Sequence, residues 1–220
     1  MTEVDLAKAR HNMIEQQIRT WEVLDQDVLD LLDSLPRDRF VPAEYRNVAY
    51  SDMQIPLGRD QVMMPPRVEA RMLQALDVQP HEKVLEVGTG SGYVTALLAR
   101  LARHVHSVEY IPEFKLEAAR RLADHGFDNV TLEVGDAAQG WERHAPYDVI
   151  AVTGSLPVLP AAFREQLAVG GRLFAIVGDD PVMEAEVITR LDADNFVSEG
   201  LFETSLLPLI NAPQPERFTF

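Results

Sequence analysis

Apolar positions along the 220-residue chain recur at two periods, and the switch between them predicts the architecture. Leu6, Met13 and Ile18, then Leu24, Val28, Leu31, Leu32 and Leu35, stand at helical spacing. That spacing predicts two helices breaking near Thr20-Trp21, with Asp25 or Asp27 favouring the second helix's start and Pro36 stopping it. Arg37 to Pro42 leads into Tyr45 to Asp60, which reads as loop-rich, with Pro42, Pro56 and Gly58 as breakers, and Val68 to Leu76 reads as a helix. Beyond it, strand patterns at Lys83–Val87, His104–Glu109, Asn129–Val134, Tyr147–Thr153 and Arg172–Val177 alternate with helical patterns. Those helices are Thr95–Ala102, Pro112–His125 with Gly126 as its stop, and Pro160–Ala168, followed by a turn at Gly170-Gly171.

Such alternation predicts an α/β fold with a doubly wound, mostly parallel sheet. Glu184–Leu191 and Leu201–Leu207, joined by a turn at Asp192–Asn195, would add an antiparallel edge and bring the sheet to seven strands. Val149, Ile150, Ala151 and Val152 mark a central strand buried on both faces. The expected organisation is an N-terminal helical extension over 1–50, a sheet domain over 51–210 and a tail over 211–220, in one compact unit. Phe218 and Phe220 in that tail suggest that it docks.

The most specific stretch is Val84-Leu85-Glu86-Val87-Gly88-Thr89-Gly90-Ser91-Gly92-Tyr93, a strand breaking into a glycine turn just before a helix. Glycines at every second position permit positive φ and leave no Cβ in the way, so a nucleotide-like ligand can lie against backbone N–H groups at the helix start. The spacing is GxGxG, one residue short of the nicotinamide-type fingerprint, whose last small residue would fall on Tyr93. Glu86 precedes the loop; Glu109, 17 residues after Gly92, ends the next strand, where a carboxylate accepts from ribose hydroxyls. Asp136 follows the third strand. Three strand-end acids around one glycine loop suit a ligand carrying a ribose, an adenine and a positive charge. S-adenosylmethionine is such a ligand, because its sulfonium has no phosphate that would require lysines.

Composition narrows the partners. The formal charge of −15 repels a phosphate backbone, so no nucleic-acid acceptor is expected, and protein or small-molecule acceptors fit better. The absence of cysteine excludes disulfides, thiolate catalysis and cysteine zinc sites. No apolar run reaches the roughly 18 residues needed to span a bilayer, and the start Met1-Thr2-Glu3-Val4-Asp5 is acidic where a signal peptide is basic. A cytoplasmic protein without membrane contact is expected. His104 and His106 share one strand face, but no third ligand stands near them in sequence, so no metal is expected.

From Asp52 to Leu209 the chain resembles the protein-L-isoaspartate O-methyltransferase family. The resemblance rests on Ile55-Pro56-Leu57-Gly58, Gln61, Pro66, Ala70-Arg71-Met72 and the glycine stretch. It continues through Gly140-Trp141, Ala145-Pro146-Tyr147-Asp148, Val152-Thr153 and Gly170-Gly171-Arg172-Leu173. It implies a Rossmann-like class I methyltransferase fold, S-adenosylmethionine as cofactor and S-adenosylhomocysteine as product. It also implies a cofactor site built from Glu86, Gly88, Thr89, Gly90, Ser91, Gly92, Glu109, Tyr110, Asp136 and Ala137, the last two at the adenine edge, and carboxyl methylation of L-isoaspartyl residues in damaged proteins.

The chain departs from the family at two places, one of them Gly154-Ser155 after Thr153, where the family tends to carry alanines. At the other, Val62-Met63-Met64 stands where the family carries a threonine-isoleucine-serine tripeptide, while Gln61 and Pro66 on either side are kept. An isoaspartyl carboxylate is already ionised at neutral pH, with a pKa near ~4, so catalysis is mostly placement by donors rather than proton abstraction. Two hydroxyl donors are gone here, and the acceptor pocket reads as rebuilt with apolar side chains. Its candidate residues are Gln61, Val62, Met63, Met64, Arg67 as a carboxylate fork, Thr153, and Ser155 as a new donor. Three readings stay open: an isoaspartyl methyltransferase, a methyltransferase with another protein or small-molecule acceptor, and a binding module without turnover.

Overall fold

The structure, a computed structural model, describes residues 5–215, so Phe218 and Phe220 lie outside the described residues. Helix α1 (Leu6–Met13) begins at Asp5, whose carboxylate accepts the Lys8 N–H at 3.0 Å. It runs on through a π turn (Ile14–Ile18) and a 3-10 turn (Arg19–Trp21) and stops at Glu22 in the left-handed region, φ 63°. α2 (Gln26–Ser34) starts where Asp25 accepts the N–H groups of Asp27 and Val28 at 2.9 and 3.2 Å, and Pro36 follows its end. The break near Thr20-Trp21 and the Asp25 cap are as the spacing predicts; each such cap contributes about 1 kcal/mol.

The stretch read as loop-rich contains a hairpin. β1 (Ile55–Gly58) pairs antiparallel with β2 (Gln61–Met63), with Ile55 opposite Met63. Arg59 and Asp60 take φ of 53° and 57° at its tip, the left-handed pair that a two-residue turn needs to match strand twist. α3 (Pro66–Leu76) then turns the chain toward the sheet.

The sheet itself follows as β3 (Lys83–Val87), α4 (Tyr93–Leu101), β4 (His104–Glu109), α5 (Pro112–Asp124), β5 (Val130–Val134), β6 (Tyr147–Leu156), α6 (Ala161–Glu165), β7 (Leu167–Asp179), β8 (Val182–Arg190) and β9 (Phe196–Thr204). The strand order is β5-β4-β3-β6-β7-β8-β9, parallel from β5 to β7 and antiparallel for the last two pairings. This is the expected seven-stranded, doubly wound sheet. The chain winds outward from β3 to β5 and returns to β6 on the other side of β3, which leaves a crevice beyond the strands' carboxyl ends.

Two apolar layers hold the sheet. Met13, Ile18, Val28, Leu32 and Phe40 share one cluster with Val68, Met72, Leu97, Leu98 and the β3 residue Val84. Leu85, Val87, Ile150, Val152, Phe163 and Leu173 fill the other face. Each such side chain, when fully buried, contributes about 1.5–3 kcal/mol before entropy. Among the described residues no helix is long and apolar enough to cross a membrane.

Several boundaries differ from the sequence reading; the turn expected at Gly170-Gly171 lies inside β7, which begins at Leu167 rather than Arg172 because Leu167 already pairs with Tyr147. The helix expected over Pro160–Ala168 ends at Glu165, because Leu167 enters the sheet opposite Tyr147 and the Gln166 carbonyl accepts the Tyr147 N–H at 2.8 Å. β6 extends to Leu156 because Ser155 and Leu156 still find partners on β7. β9 begins at Phe196 rather than Leu201; it is the sheet's outer edge and mostly exposed, so burial imposes little periodicity on it.

Candidate active site

The glycine turn is bent as its sequence requires, with φ of 98° at Gly88, 51° at Gly90 and 83° at Gly92. The three glycines do different work. A Cβ on Gly88 would come within 2.5 Å of Thr153 Oγ1, whose hydroxyl bridges the Val87 and Gly88 carbonyls at 2.9 and 2.7 Å. Gly90 donates its N–H to Glu109 Oε2 at 2.8 Å. Gly92 opens α4 and packs against Ala118 of α5, where a Cβ would meet the alanine Cβ at 3.0 Å; it serves helix packing and does not reach the cleft.

Beyond β3, β4 and β6 lies a cleft of about 680 Å³. Gly88, Gly90, Glu109, Tyr110, Asp136, Ala137, Thr153 and Gln61 all line it, drawn together from five chain segments. Glu109 is almost wholly buried yet faces the cleft, and its second oxygen accepts the Ile111 N–H at 2.8 Å. Asp136 is fixed by the Ala138 N–H at 3.1 Å and by the Asn211 side-chain amide at 2.8 Å. Among the described residues no lysine or arginine lines this cleft, while two carboxylates do. The donor set fits S-adenosylmethionine: acceptors for ribose and adenine, bare backbone at the glycines, and no cation where a sulfonium must sit. A phosphate-bearing nucleotide would meet two carboxylates and no cationic side chain among the described lining residues.

A family model described as Protein-L-isoaspartate(D-aspartate) O-methyltransferase (PCMT) matches residues 8–214. The chain belongs to this methyltransferase family. It is 40% identical over 201 residues to a protein-L-isoaspartate O-methyltransferase of Protochlamydia amoebophila, covering 90% of this chain and 95% of that one. A relative of the same name from Roseiflexus castenholzii is 41% identical over 209 residues, covering 94% of each chain. In fold, the chain is similar to a beta-aspartate methyltransferase (PCMT) from Plasmodium falciparum solved in complex with S-adenosyl-L-homocysteine. The TM-score is 0.78 at 19% identity, covering 91% of this chain and 98% of that chain. S-adenosylmethionine is the cofactor of this methyltransferase.

Next to this cleft of the methyltransferase is a smaller recess of about 300 Å³, and Leu57, Val62, Gly88, Gly90 and Thr153 line both. Met63, Met64, Glu69, Thr89, Ser91, Tyr93 and Val94 complete the recess, so the departure from the family tripeptide faces the space beside the glycine turn. Behind it, Arg37 is fully buried. Its guanidinium forks onto Glu69 at 3.1 Å through both Nε and Nη2, and also donates to the Met64 carbonyl at 2.6 Å and the Ala49 carbonyl at 3.1 Å. This ion pair ties the hairpin's exit to α3.

Several expected site residues lie elsewhere. Glu86 is absent from both walls. Strand alternation turns it to the α4 face, where Oε2 accepts from Thr95 and Ser107, each at 2.5 Å, and Oε1 is buried without a partner. Burial pushes its carboxyl up to about 8, against the pull of the two hydroxyls. Because Ser107 also meets Thr89 at 2.5 Å, Glu86 holds the glycine turn from beneath and does not touch the cofactor site. Arg67 is no carboxylate fork: it pairs with Asp52 at 3.2 Å and lies 4.0 Å over the Trp21 ring, away from both spaces. Ser155 is no acceptor donor either. It is fully buried and gives its hydroxyl to the Leu206 carbonyl at 2.8 Å.

That last bond reveals a wall the sequence reading missed. Residues 206–210 run past the end of β6, with Ser155 accepting the Leu209 N–H and donating its own N–H to Leu207, both at 2.9 Å. Leu206 to Ile210 thereby line the cleft, and Leu209 rests on Gly154, where a Cβ would come within 2.7 Å of it. Leu57 of the hairpin also lines the cleft. Neither segment has a period that marks it, although Gly154, squeezed beneath Leu209, was a readable hint of close approach.

Proposed function

We propose that this methyltransferase transfers the methyl group of S-adenosylmethionine to the free α-carboxylate of an L-isoaspartyl residue in a peptide or protein. The carrying observation is that the wall common to cleft and recess, formed by Leu57, Val62, Gly88, Gly90 and Thr153, has no titratable side chain, and that the recess carboxylate, Glu69, is held by the Arg37 guanidinium. An acceptor that needed deprotonation would require a base there, whereas a carboxylate arrives ionised. The curated relatives named for this activity at about 40% identity support the same acceptor.

S-adenosylmethionine supplies an electrophilic methyl on a sulfonium; the S–C bond breaks as the O–C bond forms, leaving a methyl ester and S-adenosylhomocysteine with no proton released. Glu109 takes the ribose hydroxyls, while Asp136, Ala137 and Tyr110 take the adenine. Gly88 and Gly90 let the ligand lie on bare backbone. Gln61, the polar side chain that the hairpin offers to the cleft, gives amide N–H donors to one carboxylate oxygen in place of the missing hydroxyls. The apolar walls, including Met63 and Met64, exclude water and strengthen the attraction between carboxylate and sulfonium. The recess they line takes an apolar side chain next to the isoaspartyl residue.

The test is product analysis after incubation with S-adenosylmethionine and an isoaspartyl peptide. A base-labile methyl ester on the peptide, formed at least tenfold more slowly by Gln61→Ala, is expected. Methylation at another group, or S-adenosylmethionine binding with no methylated peptide, would overturn the proposal in favour of a different acceptor or a silent binding module.

A further inference from the structure

Sequence distance hid a cluster that the fold assembles. His106 on β4, Glu133 on β5 and His144 in the turn before β6 each offer one ligand atom, and these atoms all lie within 4.8 Å of one another. Glu133 and His144 stand 27 and 38 residues beyond His106, which is why the pair His104/His106 showed no third ligand along the chain. We propose that His106, Glu133 and His144 form a binding site for a borderline divalent transition metal such as Zn²⁺, Co²⁺ or Ni²⁺, on the sheet face at the β4–β5 edge.

Three observations carry this. First, the donor set of two imidazoles and one carboxylate is one that such ions select, and it leaves coordination positions open to water. Secondly, His106 Nδ1 is buried with no hydrogen-bond partner, a polar atom that the protein alone leaves unsatisfied. Thirdly, the carboxylate is oriented from behind. Glu133 Oε2 accepts Trp141 Nε1–H at 3.1 Å and Arg143 Nη1–H at 2.9 Å, so that Oε1 is left to face His144 Nε2 at 2.6 Å. Such outer hydrogen bonds are what fix ligands around a metal.

The imidazoles of His106 and His144 stack at 4.0 Å between centroids, inclined by 16°. Coordination at about 2.0–2.1 Å from each nitrogen requires that stack to open. His144 can supply this movement, being part-exposed on a short 3-10 turn (Glu142–His144). The Lys83 ammonium does not block the site, since it is engaged with the His144 carbonyl at 2.7 Å. A bound ion would clamp β4, β5 and the segment before β6 together. It would also reset Trp141, whose ring packs on Gly135 of the cofactor cleft wall.

The experiment is titration of tag-free, chelator-treated full-length protein with Co²⁺, followed by visible ligand-field absorption and calorimetry, with Zn²⁺ as competitor. One equivalent per chain is expected, displaced by Zn²⁺ and accompanied by a rise in the thermal midpoint. His144→Asn, on the exposed side, and Glu133→Gln should each weaken binding at least tenfold while circular dichroism stays native. His106→Asn, on β4, should do the same. Absence of saturable Co²⁺ uptake by the native protein, or unchanged uptake in folded His144→Asn and Glu133→Gln proteins, would overturn the site.

Discussion

Glu109 and Gly90 are joined by a 2.8 Å hydrogen bond from the glycine N–H to the carboxylate, so the acid at the end of β4 and the glycine turn after β3 form one unit. The same carboxylate, closed by the Ile111 N–H, faces the cleft, where the proposed function gives it the ribose hydroxyls. Glu109→Ala removes both functions and leaves two N–H groups without their acceptor. At about 1–3 kcal/mol for such a loss, affinity for S-adenosylhomocysteine should fall roughly 10- to 100-fold, as read by calorimetry. An unchanged affinity would remove Glu109 from the cofactor site.

Gly88 has a φ of 98° and no room for a Cβ beside Thr153 Oγ1. Gly88→Ala must either displace Thr153 from its two carbonyl contacts or shift the turn. Strain of about 1–3 kcal/mol is expected, with a lowered thermal midpoint and a greater loss of cofactor affinity than Gly126→Ala causes. Gly126 also has positive φ, 74°, but nothing lies within 4 Å of its would-be Cβ, so it controls for backbone strain alone.

The buried acid beneath the turn gives a pH signature. Glu86 holds its proton to about 8 in the folded chain, against about 4.3 when unfolded. Between those values the folded state binds the extra proton, so the stability it contributes is full below about pH 4.3 and is lost as pH rises through about 8. Glu86→Gln, which cannot ionise, should therefore gain stability relative to the natural protein on going from about pH 5 to about pH 9 in denaturant unfolding. It should leave cofactor affinity nearly unchanged, because Glu86 lines neither space.

Much of this was legible before the fold. Lys83–Val87 and His104–Glu109 coincide with β3 and β4 because both are interior strands whose apolar runs are set by burial. The positive φ of the turn's glycines and the place of Glu109 at the cleft were legible because their geometry is local. Glu86 was assigned to the wrong side, although strand alternation separates it from Val87, which does line the cleft, and pairs it in register with Ser107. Residues 206–210 were beyond reach, since their place depends on the antiparallel return of β8 and β9 and on Ser155 catching the chain. The His106, Glu133 and His144 cluster was hidden for the same reason: three separate strands or turns must align first.

Arg37 and Glu69 support the apolar recess from behind, and burial raises the Glu69 carboxyl despite the guanidinium beside it. Arg37→Ala strands a buried carboxylate and frees the Met64 and Ala49 carbonyls, which should cost about 3–5 kcal/mol in urea unfolding. The paired change Arg37→Met with Glu69→Leu should cost less than Arg37→Ala alone, because no unpaired charge is left. A double variant worse than the single one would show that the pair contributes more than charge compensation.

The central claim is tested most directly by S-adenosylhomocysteine release from the purified protein with two isomeric peptides, one carrying L-isoaspartate and the other the normal L-aspartate at the same position. Turnover confined to the isoaspartyl peptide is expected, faster when the neighbouring residue is apolar. Equal rates on both peptides, or no release from either despite cofactor binding, would contradict isoaspartyl methylation by this wall of Gln61, Val62, Met63 and Met64.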